Sequence, residues 1–198
     1  MKLRNIVLIS LIIAIIFLLI AIYIHYKQNT SPAQIESSPI GDARRQSELY
    51  LDTSTNFTTV ALFFASWGGD YLLPEKRKIF YTTSVTDQAK QAVIELINGP
   101  KQSHLFSPIS SSTTLRELYI AADGTAYVDL SQEFRDNHWG GAEGEILSIY
   151  SIINTLTINF PSIQRVKILV EGKEIDSIAG HISLRYAFKT DFSLIGRR

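Results

Sequence analysis

The sequence predicts an α+β fold: a two-layer domain with two helices on a mixed β-sheet in the order ββαββαβ, preceded by one N-terminal transmembrane helix. Three observations predict it. Residues 6–24 form one uncharged apolar run; segments of β-branched and aromatic residues fill 57–80, 115–130 and 163–188; and two stretches repeat apolar residues at helical spacing between recognisable stop signals.

The first run, "IVLISLIIAIIFLLIAIYI", is interrupted only by Ser10 and two aromatic rings. As a helix rising 1.5 Å per residue it would be about 28 Å long, close to the ~30 Å hydrocarbon core of a bilayer. A cleaved signal peptide has a shorter apolar region of ~7–15 residues ending at a small-x-small site, whereas "YIHYKQ" follows here, so the expectation is an uncleaved anchor over residues 1–27. Lys2 and Arg4 precede the span, and Lys27 with a neutral His25 follows it. The positive-inside bias then places the N-terminus in the cytoplasm and the rest outside. Residues 28–56 are rich in Ser, Thr, Pro and Asn and poor in apolar positions, so they are expected to form a flexible linker.

The folded domain is expected over 57–190, with 191–198 as a C-terminal tail. "FTTVALFF" and "YLLPEKRKIFY" form a strand pair around the turn "ASWGGD", with Pro74 confined to an edge or bulge because it has no N–H to donate. A helix follows, capped by Ser84 or Thr86, carrying Ala89, Ala92, Val93, Leu96 and Ile97 on one face and stopped by Gly99-Pro100. "LRELYIA" and "TAYVDL" flank Asp123-Gly124, a strong hairpin signal that places Ala126, Val128 and Leu130 on one face and Tyr127 and Asp129 on the other. The second helix runs from about Ala142 to Asn159, with Ile146, Ile149, Tyr150, Ile153, Thr157 and Phe160 on one stripe and Pro161 ending it. "IQRVKILVEGKEI" supplies a further strand and "GHISLRYAF" a last extended segment.

Composition narrows the function. With no cysteine there is neither a disulfide framework nor a lipidated cysteine, so the expected anchor is the helix itself. From Gln28 onward 16 basic residues face 19 acidic ones, which argues against a nucleic-acid partner, since neutralising phosphates needs a basic face.

Candidate chemistry is sparse. Ser131 and His138 with nearby acids suggest a Ser-His-Asp arrangement, but no G-x-S-x-G elbow exists and a serine ending a strand explains Ser131 equally. The histidines at 25, 104, 138 and 181 lack metal-binding spacing, so neither a metal nor a cofactor is expected. Asp123, Asp129, Glu133 and Asp136 offer carboxylates for a glycosidase acting on cell-wall sugar, although spacing alone does not show two of them facing a cleft. Trp67-Gly68-Gly69 and Trp139-Gly140-Gly141 could stack a sugar or a partner's ring, or be plain glycine-rich turns beside an aromatic.

Taken in order, "VALFFASWGGDYLLPEKRKI", "AVIELINGP", "AYVDLSQEF", "IYSIINTLTINFPSIQRVKILVEGKE" and "AGHISLRY" resemble the GerM domain (GerMN) family of sporulation and spore germination proteins. The resemblance covers residues 57–190 in a single copy, and its signature positions are Gly99, Pro100, Asp129, Leu130, Ser131, Asn154, Thr155, Leu156 and Gly172. It implies a membrane-attached extracytoplasmic module without catalytic residues, related in fold to ring-building domains of secretion and sporulation channels. The expected function is a non-catalytic protein-interaction or assembly module, partnered by envelope proteins or by itself; an envelope carbohydrate-binding domain or cell-wall hydrolase is the alternative.

One further expectation concerns the second helix. Between Glu145 and Arg165 there is no charged residue, and Ser148, Ser151 and Thr155 fall opposite the predicted core stripe, with Leu147, Ile152 and Leu156 as apolar shoulders. This face is expected to be covered, either by a partner as an interface or by the chain's own C-terminal segment.

Overall fold

The computed structural model describes residues 18–23 and 56–196. The chain divides into two units, Met1–Asp52 and Thr53–Arg198. In the first, residues 18–23 are helical, with Leu18, Leu19, Ile20, Ile22 and Tyr23 exposed. No helix among the described residues is long and apolar enough to cross a membrane. Most of the expected span Ile6 to Ile24, and all of the linker except Asn56, lie outside the described residues.

The second unit holds two three-stranded sheets, which corrects the expectation of one. In the first sheet β1 (Phe57–Ser66) pairs along its length with β2 (Leu72–Phe80) and at Ala65 and Ser66 with the short β3 (Leu105–Phe106), all antiparallel. The second sheet is mixed: β5 (Thr125–Leu130) runs antiparallel to β4 (Leu115–Ile120) and parallel to β6 (Arg165–Val170). Between β2 and β3 lies α1 (Val85–Ile97), and between β5 and β6 lie a single turn, α2 (Glu133–Asp136), and the long α3 (Ala142–Asn159).

Local signals account for most boundaries. The Ser84 hydroxyl accepts the Asp87 amide at 3.1 Å and caps α1, whose five predicted apolar residues are all buried. At the other end Gly99 adopts φ +85°, a left-handed exit that suits glycine. Asp123 and Gly124 turn β4 into β5, and Ala126, Val128 and Leu130 are fully buried as their alternation predicts. Pro74 sits in β2, an edge strand that among the described strands pairs with β1 alone.

The main core joins Val60, Leu62 and Phe64 of β1 to α1, the inner face of α3 and the second sheet; Phe63, Ala65, Leu72 and Leu147 form a second cluster on the opposite face of β1. Helix α3 is therefore an inner layer, and from Leu147 to Leu156 only Tyr150 is not fully buried. Two of its side chains close the edge of β1 that β3 leaves open. Thr155 Oγ1 accepts the Phe63 amide at 3.1 Å, while Asn159 accepts from the Ala61 amide at 2.8 Å and donates to the Ala61 carbonyl at 2.7 Å.

The segment "GHISLRYAF" is not a strand. Phe188 alone pairs with Val166, and the carbonyls of Leu184 and Arg185 turn instead to the buried Lys167 ammonium, at 3.0 and 2.6 Å. A buried ammonium needs such acceptors, and here they displace a ladder. The packed region also passes residue 190, the expected end of the domain: Asp191 exchanges hydrogen bonds with Asn154, and Ile195 bridges to Leu72.

Candidate functional site

The family-signature residues gather at three structural joints. At the first, Asp129 Oδ1 accepts the Gly172 amide at 2.7 Å while its Oδ2 meets Arg116 Nε at 3.1 Å. Glu171 and Gly172 make the tight turn leaving β6, both with positive φ, 53° and 71°. Glu171 also takes Arg116 at 2.6 Å and the Gln132 amide at 3.0 Å, so one arginine and two acids tie β4, β5 and the β6 turn together. Leu130 is core, and the Ser131 hydroxyl accepts the Thr114 amide at 2.9 Å.

At the second joint Gly99 and Pro100 end α1 beside a buried ion cluster. Arg77 pairs with Glu75, reaches Glu95 at 2.6 Å and donates to the Gly99 carbonyl at 3.1 Å. Glu75 Oε2 in turn accepts the Lys101 and Gln102 amides at 2.8 and 2.9 Å. Burial by itself would raise the Glu75 carboxyl, yet Arg77 and these two amides hold it below the ordinary carboxylate range. The third joint is α3 itself: Asn154 holds the C-terminal segment, Thr155 the edge of β1, and Leu156 the core.

The residues proposed for an interface on α3, Leu147, Ser148, Ser151, Ile152, Thr155 and Leu156, are all buried inside this unit. The uncharged face is covered by the chain itself. Ser148 Oγ lies 2.5 Å from the Pro108 carbonyl, and Leu147 packs on Phe63, Ala65 and Leu72, so the cover comes largely from the first sheet and the loop after β3. The C-terminal segment adds its contact at Asn154.

Each acid weighed for catalysis is engaged by a neighbouring group. Asp123 pairs with Arg165 at 2.8 Å, Asp129 with Arg116, and Asp136 with Arg135 at 3.0 Å. Asp123 is held below its ordinary value chiefly by the Thr125 amide, Glu133 chiefly by the Ser131 hydroxyl, and Asp136 chiefly by Gln132. A glycosidase's general acid needs the opposite shift. His138 approaches Ser148, at 3.4 Å, rather than Ser131, and its burial lowers its pKa. Among the described residues no group of three or more His, Asp or Glu side chains could hold a metal ion.

Two features escaped sequence reasoning. Glu145, near the start of α3, is fully buried and accepts the amides of Ile178, Ala179 and His181 at 2.9, 3.1 and 2.9 Å. Its one sequence signal is its position at the head of the uncharged run. The other is a surface cleft that brings the two Trp-Gly-Gly stretches together.

The family model described as Germane, sporulation and spore germination, matches residues 61–176, more than half of the chain. The chain belongs to the Germane family. All nine signature residues fall within the matched Germane region. Among solved structures, the tandem GerMN domains of the sporulation protein GerM from Bacillus subtilis are 26% identical with a TM-score of 0.54, and the match covers 67% of this chain and 46% of that one. The first GerMN domain of the same protein is 23% identical with a TM-score of 0.52, covering 69% of this chain and 98% of that one. A candidate lipoprotein from Clostridium perfringens is 23% identical with a TM-score of 0.49, covering 70% and 91%. None of the curated proteins compared with the chain matches it.

Proposed function

We propose that this Germane-family protein is a single-pass, membrane-tethered module of the bacterial envelope whose extracytoplasmic domain acts by contact with proteins, either other envelope components or further copies of itself in a ring. A role in sporulation or germination is the setting that its family membership supports. The tether rests on the uncharged run Ile6 to Ile24 and its basic leading flank.

One observation carries the interaction reading: the signature residues are committed to holding strands, turns and helix ends together, while the outer face of the first sheet stays open beyond its small second core. There Phe57 and Phe80 pair across the strands with ring centroids 5.0 Å apart and remain 47% and 56% exposed, with Lys76 and Lys78 exposed beside them. Exposed aromatics amid basic side chains suit a protein surface carrying acidic and apolar groups. A photo-cross-linker at Phe80 in native membranes is expected to give discrete adducts that Phe57→Glu removes. Adducts no different from those of the exposed control position Arg185 would refute the reading.

A further inference from the structure

The turn between β1 and β2 and the segment entering α3, distant in sequence, meet at one surface. Trp67 to Gly69 and Trp139 to Gly141 line opposite parts of a hollow of about 280 Å³, floored by Gly144 and Leu147. An adjoining hollow of about 220 Å³ shares Gly69, Glu143 and Leu147 and adds Asp70. Trp67 is 77% exposed and Trp139 44%, an unusual exposure for the only two tryptophans of the chain.

The cleft depends on its glycines. A Cβ on Gly144 would come within 2.6 Å of the Trp139 carbonyl, so only glycine lets the Trp139 backbone rest on the first turn of α3. Phe106 supports the Trp139 ring at a centroid distance of 5.0 Å. The result is a built surface of two exposed indoles over a nearly bare floor.

Its polar groups are of both kinds. Asp70 and Glu143 supply acceptors, and α3 begins at Gly141 without a side-chain cap, leaving its first amides as donors at the same rim. A cation would meet the positive end of the helix, and an anion would meet two carboxylates. A neutral ligand with a flat apolar face and hydroxyls that both donate and accept satisfies every part. We propose that this cleft binds a neutral glycan, one pyranose ring stacking on an exposed indole while its hydroxyls bridge the carboxylates and the α3 amides. Glycan binding here is independent of whether the domain also assembles with proteins, and the fluorescence test below does not involve Phe57 or Phe80.

Because both tryptophans line the cleft, tryptophan fluorescence of the full chain in lauryldimethylamine oxide micelles, excited clear of the tyrosine absorption, reports on this site alone. The probes are N-acetylglucosamine tetramer and maltotetraose as neutral glycans, choline chloride as a cation and sodium acetate as an anion. A saturable change is expected with at least one glycan and with neither ion. Trp67→Ala is expected to weaken that binding at least about tenfold, read from the remaining Trp139, whereas Trp67→Phe retains it within about threefold. Circular dichroism is expected to be unchanged in both variants, since Trp67 projects from a turn. No saturable change with either glycan up to about 10 mM, well beyond a millimolar Kd, would overturn the proposal. So would saturation by choline or acetate in place of the glycans, or equal affinity in Trp67→Ala.

Discussion

Asp129 Oδ1 holds the Gly172 amide at 2.7 Å, and through that bond β5 fixes the turn by which the chain leaves β6. A Cβ on Gly172 would have room, its nearest neighbour being Asp129 Oδ2 at 3.9 Å, so the demand for glycine comes from φ alone. Gly172→Ala is expected to cost about 1–2 kcal/mol, the penalty of the left-handed region for a residue with a Cβ. Asp129→Ala, which leaves the exposed Gly172 amide to water, is expected to cost about 0.5–1.5 kcal/mol, and Asp129→Asn less, because it keeps an acceptor. Urea midpoints with unchanged m-values check this; equal midpoints for the Ala and Asn variants would refute the role given to Asp129.

Glu145 makes stability depend on pH in the acid range. Burial raises its pKa, but the amides of Ala179, His181 and Ile178 outweigh that and hold it below the ordinary value of 4.5. The unfolded chain therefore takes up this proton first, so the stabilisation is complete above about 4.5 and is lost as pH falls through the lower folded value. His138 acts in the same direction at higher pH, since burial lowers its pKa from 6.5 and disfavours its charged form in the fold. Glu145→Gln is expected to be less stable than the parent by about 1–3 kcal/mol near neutrality, with the two stability profiles converging towards pH 3. Profiles that stay parallel down to that pH would show that Glu145 is not the group responsible.

Asn159 stands in for a strand partner of β1, meeting both backbone groups of Ala61. Asn159→Leu leaves a part-buried amide and carbonyl without partners and is expected to cost about 1–3 kcal/mol. It also uncovers a strand edge, so concentration-dependent association is expected to rise. Light scattering at matched stability, with Asn159→Asp as the variant that keeps an acceptor but loses the donor, separates edge exposure from simple destabilisation.

What the sequence made legible was local. Ser84, offered beside Thr86 as a cap, Gly99 and Asp123-Gly124 mark a cap, a helix exit and a hairpin within a few residues of the elements they bound, and the structure chose between the two cap candidates. Alternation in β5 gave its buried face correctly. The division into two sheets was not legible, because period-2 patterning shows which face of a strand is buried and says nothing about which strands pair. Nor could "GHISLRYAF" be told from a strand, since the group that claims its carbonyls, Lys167, lies on β6. Glu145 and the Trp-Gly-Gly cleft were hidden for the same reason: each acquires its meaning from a segment far along the chain.

The bond between Ala61 and Asn159 spans 98 positions, and that separation sets an interval of time. A ribosome working at about 5–20 residues per second needs roughly 5–20 s to add the intervening chain. For that interval, strand β1 has been made and its natural cover has not. The hairpin of β1 and β2 must wait, with one edge open, for a helix still to be synthesised.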